Sequence, residues 1–200
     1  MIILDSIVQG SQEWFVEKLG KPSASNASKI LTNDGKPSKQ RDGYLYELAA
    51  EIITGQRVES YQNDNMIAGQ DREQESRTYY ELMNNVEVQQ VGVIYKDKDK
   101  KFLCSPDGVV NMEYGLELKN VLPKTQIKYL LDGGLPAEYF GQVNFSLYVT
   151  GFKFWDFLSY APGLKPLLIR VLPDEKFIKT LEIELNKFCE ELETIVEKIK

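Results

Sequence analysis

The sequence contains no histidine. That excludes Ser-His-Asp and Cys-His catalysis, histidine-ligated zinc and any imidazole base. Cys104 and Cys189 are the only two cysteines, too few for a four-thiolate zinc or iron–sulfur centre and too far apart for a CxxC redox pair. One disulfide is formally open, but so little cysteine favours a reduced, cytoplasmic setting. No apolar run approaches the roughly 18 residues that a bilayer span requires. Met1-Ile2-Ile3-Leu4-Asp5-Ser6 lacks the basic start of a signal peptide, so neither secretion nor a membrane partner is expected. An excess of positive charge is missing too: 24 Lys and Arg face 30 Asp and Glu, for a net charge of −6. Taken alone this argues against a phosphate-rich partner, although divalent cations on a carboxylate cluster can reverse the balance locally.

Catalysis, if there is any, must then use carboxylates, lysines, hydroxyls or a metal held by oxygen. The 200 residues, 42% hydrophobic and 11% aromatic, suffice for one well-filled core. No repeat, low-complexity tract or Pro/Ser-rich linker divides the chain, and a single domain over 1–200 is expected. Ser11 caps a short helix through Leu19 whose buried face carries Trp14 and Phe15, and Ser23-Ala24-Ser25 opens a second helix with two candidate caps. Asp42 to Ile53 has helical spacing with Gly55 as its stop, and another helix runs from Asp64 or Asn65 to about Met83. Val86 to Tyr95 alternates as a strand, Lys101 to Ser105 returns after a charged turn, and Gly115 to Lys119 is a further strand. Helices at about 124–131 and 137–149, strands at Phe154–Tyr160 and Pro166–Leu172, and a long amphipathic helix from Asp174 complete the order. This succession indicates an α/β fold, a mixed sheet with helices on its faces.

Ser105-Pro106-Asp107-Gly108 reads, by itself, as a tight turn. The pattern Asp/Glu-x-Lys occurs four times, from Asp34, Asp99, Glu117 and Asp174, and only Glu117 and Lys119 alternate with apolar neighbours, Leu116 and Leu118. Residues i and i+2 of a strand share a face, so Glu117 and Lys119 project together while the leucines bury opposite. Asp107 can approach that face across the sheet. Two neighbouring carboxylates repel unless a cation lies between them, and Mg²⁺ suits oxygen ligands and brings water to the site.

Asp107, a spacer, then Glu117-Leu118-Lys119 resembles the signature of the PD-(D/E)xK nucleases. More specifically, the chain resembles the phage lambda exonuclease (viral alkaline exonuclease) family from about Trp14 to Tyr160. The motifs stand in the family's order: Trp14 to Gly20 with Ser23-Ala24-Ser25, Gly69-Gln70-Asp71-Arg72-Glu73 with Arg77, Cys104 to Gly108, Gly115 to Lys119, and Gly141-Gln142-Val143. The resemblance implies a restriction-endonuclease-like core. It implies Mg²⁺, with Mn²⁺ as substitute, on Asp107, Glu117 and the main-chain carbonyl of Leu118, with Lys119 acting on the water. Glu73 matches a further acidic residue of the centre and Gln142 a polar residue supporting it. Lys18, Ser25 and Ser105 match positions gripping a terminal 5′-phosphate, and Met66 aligns with a residue that wedges open the duplex. Most have a plainer reading: N-capping for Ser23 and Ser25, a tight turn for Ser105, a solvated helix face for Glu73, an ordinary helix hydrogen bond for Gln142, core packing for Met66. Lys18 stands where the family usually has arginine, which keeps the charge but loses the two-pronged fork.

The function so implied is a 5′-to-3′ exonuclease on double-stranded DNA ends that releases 5′-mononucleotides and leaves a 3′ single strand for phage-type recombination. A ring-shaped homotrimer and a single-strand annealing partner follow from the same resemblance. An endonuclease with the same metal site, and a catalytically silent module that binds DNA ends, are the alternatives. The last helix, with Phe177, Leu181, Leu185, Phe188, Leu192, Ile195 and Ile199 at three- and four-residue steps, suits docking on its own domain or a subunit contact.

Overall fold

The computed structural model describes residues 1–57 and 72–200. After strand β1 (Ile2–Leu4), helix α1 (Gln12–Lys18) begins where the Ser11 hydroxyl accepts the Trp14 N–H, as the capping residue predicts. Ser23-Ala24-Ser25 departs from expectation. It forms only a 3-10 turn, Ala24–Asn26, followed by the short α2 (Ala27–Ile30), and Ser23 makes no side-chain cap. Its hydroxyl lies instead 3.2 Å from that of Ser25. Helix α3 (Arg41–Thr54) ends on Gly55 in the left-handed region, φ 66°, where a side chain is strained. Helix α4 (Glu73–Asn84) ends near the expected Met83; Asp64 and Asn65, the expected start, lie outside the described residues.

Two sheets carry the rest. Strands β1, β2 (Val93–Tyr95) and β3 (Leu103–Cys104) form a small antiparallel sheet. Strands β4 (Gly108–Val110), β5 (Tyr114–Asn120), β6 (Trp155–Tyr160) and β7 (Leu167–Val171) form a four-stranded mixed sheet in which β5 and β6 are parallel. Helices α5 (Pro123–Asp132) and α6 (Ala137–Thr150) make the crossover that parallel neighbours require. The expected strand Val86–Tyr95 is divided: Gln89 bridges to Val109 of the mixed sheet, whereas Val93–Tyr95 pairs within the small one. Gly92 marks the change, because a Cβ there would stand 2.3 Å from the Ile7 carbonyl oxygen. The segment Ser105–Asp107 is likewise no hairpin turn. It leads from β3 in one sheet to β4 in the other.

Helix α7 (Glu175–Ile199) packs Phe177, Leu181, Leu185 and Phe188 into one apolar cluster with Leu45 and Leu48 of α3 and Phe145 of α6. On the other side of the mixed sheet, Leu116 and Leu118 bury with Tyr80 of α4. The Asp174 carboxylate starts α7 by accepting the Phe177 N–H at 2.9 Å. Asp174→Ala is expected to lower stability by about 1 kcal/mol in urea unfolding, the usual worth of such a cap; an unshifted midpoint would show that packing alone holds the helix.

Candidate active site

Alternation along β5 sets the chemistry. Leu116 and Leu118 bury toward α4, so Glu117 and Lys119 leave on the opposite face, beneath α6, and there the Lys119 ammonium pairs with Glu117 Oε1. Gln142 of α6 donates to the same Glu117 oxygen at 2.6 Å. Gly141, beside Gln142, lies against α2, where a Cβ would be 3.4 Å from that of Ala27, an ordinary contact. Glu117 is only 2% exposed. Burial, and then the Asp107 charge, push its carboxyl up to about 7 against the opposing pull of Lys119 and Gln142. Burial works against the Lys119 ammonium, yet Glu117 and Asp107 outweigh it and hold that group above the ordinary lysine range.

Asp107 owes its place to the way β4 separates from β5. The two strands pair Gly108 with Leu116, and the same register continued sets Asp107 opposite Glu117 and Pro106 opposite Leu118. Proline has no N–H to offer the Leu118 carbonyl. The Leu118 N–H turns to Asp107 Oδ2 at 2.6 Å, and the Pro106 carbonyl accepts from Gln9 Nε2 at 2.7 Å. A strand residue sends its N–H and C=O to the same edge, so the Leu118 carbonyl faces the Asp107 side without a ladder donor. These donors are all hard oxygens: two carboxylates, each with a second oxygen beyond the hydrogen bonds just given, and one carbonyl. They suit Mg²⁺ or Mn²⁺ and not a thiolate- or imidazole-seeking metal. Among the described residues no group of three or more His, Cys, Asp or Glu is close enough to hold a metal by side chains alone, so main-chain oxygen and water would have to complete a coordination shell.

Glu73, in the first turn of α4, is half-buried and paired with Arg77, not part of a solvated face. Burial and the nearby Asp107 raise its carboxyl pKa, while Arg77 and Lys119 draw it down. Asp107, Glu117, Lys119, Glu73 and Gln142 line one cavity of about 570 Å³, together with Lys18, Ser25 and Ser105. Ser105 Oγ donates to the Gly92 carbonyl at 2.5 Å and accepts from Trp14 Nε1 at 2.9 Å, which ties this corner to α1. The Lys18 ammonium sits 3.8 Å from the centre of the Trp14 ring. Burial and the neighbouring Arg57 bring its pKa down to about 8. Met66 lies outside the described residues. Sequence reasoning assigned no part to Arg57, Gln9 or Gln90, which line the same cavity. Each is a single polar residue in a loop, with no periodicity to mark it.

Comparison with known proteins bears on the fold and the family. The crystal structure of an alkaline exonuclease, LHK-Exo, from Laribacter hongkongensis superposes with a TM-score of 0.85 at 29% identity, covering 94% of this chain and 96% of that one. The structure of LHK-Exo in complex with dAMP gives 0.86 at 29% identity, covering 95% and 96%. A phage related exonuclease from Haemophilus somnus 129PT shares the fold at a TM-score of 0.67 and 9% identity, over 90% of this chain and 96% of that one. No curated protein gives a significant match. The model of the YqaJ-like viral recombinase domain matches residues 13–153, which carry every described residue of the cavity except those of the amino-terminal loop. With that match over more than half its length, the chain belongs to the YqaJ-like viral recombinase family.

Proposed function

We propose that this protein is a divalent-metal-dependent DNA exonuclease that degrades one strand of a duplex from a 5′-phosphorylated end, releasing 5′-mononucleotides. The convergence of Asp107, Glu117 and Lys119 in one cavity carries the reading, supported by likeness to LHK-Exo along nearly the whole chain. Asp107, Glu117 and the Leu118 carbonyl would hold the cation, Mg²⁺ with Mn²⁺ as substitute, which when bound supplies charge neutralisation at the scissile phosphate and a more acidic water. Lys119, kept protonated by its two carboxylate neighbours, donates to a phosphate oxygen or orients the attacking water; as an ammonium it is no proton acceptor. Gln142 fixes the Glu117 carboxylate, and Glu73 adds negative charge at the Asp107 side. Lys18, with Ser25 in the same cavity, takes the terminal 5′-phosphate, while Ser105, its hydroxyl proton given to the Gly92 carbonyl, lines the same corner. The net charge of −6 is no obstacle, since Lys18, Lys119 and Arg57 gather where the backbone would lie. The chain is read as a ring-forming subunit that hands its 3′ strand to an annealing protein.

A time course on one blunt duplex, labelled at either end and carrying 5′-phosphate or 5′-hydroxyl, tests this in Mg²⁺, Mn²⁺ or EDTA with a closed circle in parallel. Mononucleotide release from the phosphorylated 5′ end, silence in EDTA and an intact circle are expected. Cutting of the circle would instead favour an endonuclease. End binding without turnover in either metal would mean a silent binding module.

A further inference from the structure

Arg77 belongs to none of the roles assigned so far, yet its surroundings are unusual for an arginine. It is 4% exposed, in α4 one turn after Glu73. A buried guanidinium is strongly unfavourable unless its donors are satisfied, and here both terminal nitrogens have acceptors while Nε has none among the described residues. Its Nη2 donates to Glu73 Oε1 and, at 3.2 Å, to the Asp107 main-chain carbonyl; its Nη1 donates to Gln74 Oε1 at 3.0 Å. The Gln90 amide oxygen, in the orientation that satisfies both groups, accepts from Nη1 at 3.1 Å and Nη2 at 3.0 Å.

The position of that Asp107 carbonyl gives these bonds their consequence. Asp107 lies between the sheets, where β4 has parted from β5, so ladder pairing does not hold its main chain. Its side chain is fixed by the Leu118 N–H and the preceding carbonyl by Gln9. Arg77 supplies the remaining hold, and the same nitrogen grips Glu73, the other carboxylate on this side. One nitrogen of a rigid, planar cation therefore sets the distance from the Glu73 carboxylate to the Asp107 main chain, and through it the spacing of two like charges.

We propose that Arg77 is a positioning residue that spaces Glu73 against Asp107 and thereby sets the affinity of the site for a divalent cation. The inference rests on the metal-dependent reading above. It is tested with Arg77→Met, which keeps volume and burial but removes the fork, and Arg77→Lys, which restores a charge without it. Mg²⁺ and Mn²⁺ binding to the DNA-free protein is measured by calorimetry, beside thermal unfolding in EDTA and the metal concentration giving half-maximal nuclease rate. Both variants are expected to bind metal about 10- to 100-fold more weakly, as loss of a ligand-orienting partner does elsewhere. Duplex-end binding in EDTA should stay at the parental level. Parental metal affinity in either folded variant overturns the proposal, and so does a drop in unfolding temperature with no change in metal affinity. If the Arg77→Met variant does not fold, Arg77→Lys decides by the same titration. Should the parent itself bind no divalent cation, the metal-dependent reading fails; parental binding that both variants retain refutes only the role of Arg77.

Discussion

Lys119→Ala is expected to lower turnover by about 10²- to 10³-fold, the usual cost of removing one fixed donor from a site where charge develops. The protein should remain folded. Glu117, already pushed up to about 7, can take a proton when its ammonium partner is gone, so no buried charge is stranded. Half-saturation by duplex ends should change less than turnover, because Lys18 and Ser25 remain in the cavity to hold the end. Asp107→Asn separates two tasks of one side chain. The amide oxygen still accepts the Leu118 N–H, which preserves the local backbone, but the charge facing the cation is lost. Its turnover should fall at least as far, with near-parental unfolding. The check is single-turnover hydrolysis of a 5′-phosphorylated duplex beside circular dichroism melts. A parental rate in either variant would remove that residue from the mechanism.

The largest stability effect is expected two residues upstream of Glu117. A Cβ on Gly115 would stand 2.3 Å from Cη2 and Cζ3 of Trp155, whose indole is fully buried at the parallel β5–β6 pairing. Neither strand can yield without disturbing the other, so Gly115→Ala should lose roughly 1–3 kcal/mol in urea unfolding, in the range of an overpacked core. Trp155→Phe should lower stability in the parent but recover part of the loss in the Gly115→Ala background. This non-additivity marks direct contact. Purely additive losses would place the strain elsewhere.

Local signals were legible. The cap at Ser11, the helix start at Asp174, the stop at Gly55 and the alternation through Leu116, Glu117, Leu118 and Lys119 depend on a few neighbouring residues and short-range sterics. What escaped depends on partners distant in sequence. Val86–Tyr95 keeps one alternating pattern although its pairing passes from one sheet to the other at Gly92, and polarity cannot record a change of partner. Pro-Asp-Gly has turn chemistry either way; only the second sheet makes it a junction. For the candidate site, strand periodicity pointed to the β5 pair with Asp107 approaching across the sheet, and the family resemblance to Gln142; the register and the hydrogen bond to Glu117 are what the fold adds. Arg77 belonged to a recognised motif, but its bond to the Asp107 carbonyl spans 30 residues and no local pattern announces it.

Helix α7 is translated after both sheets and every other helix described, yet it covers the apolar sides of α3 and α6. During synthesis those sides must wait in water, with Tyr44 lacking Phe188 and Phe140 lacking Phe177, the rings they meet in the finished molecule. Such a nascent chain offers sticky surface to chaperones until its last long helix emerges. A ribosome that stalls before Phe177 would leave a product fit for clearance by proteases, even though every residue of the cavity had already been made.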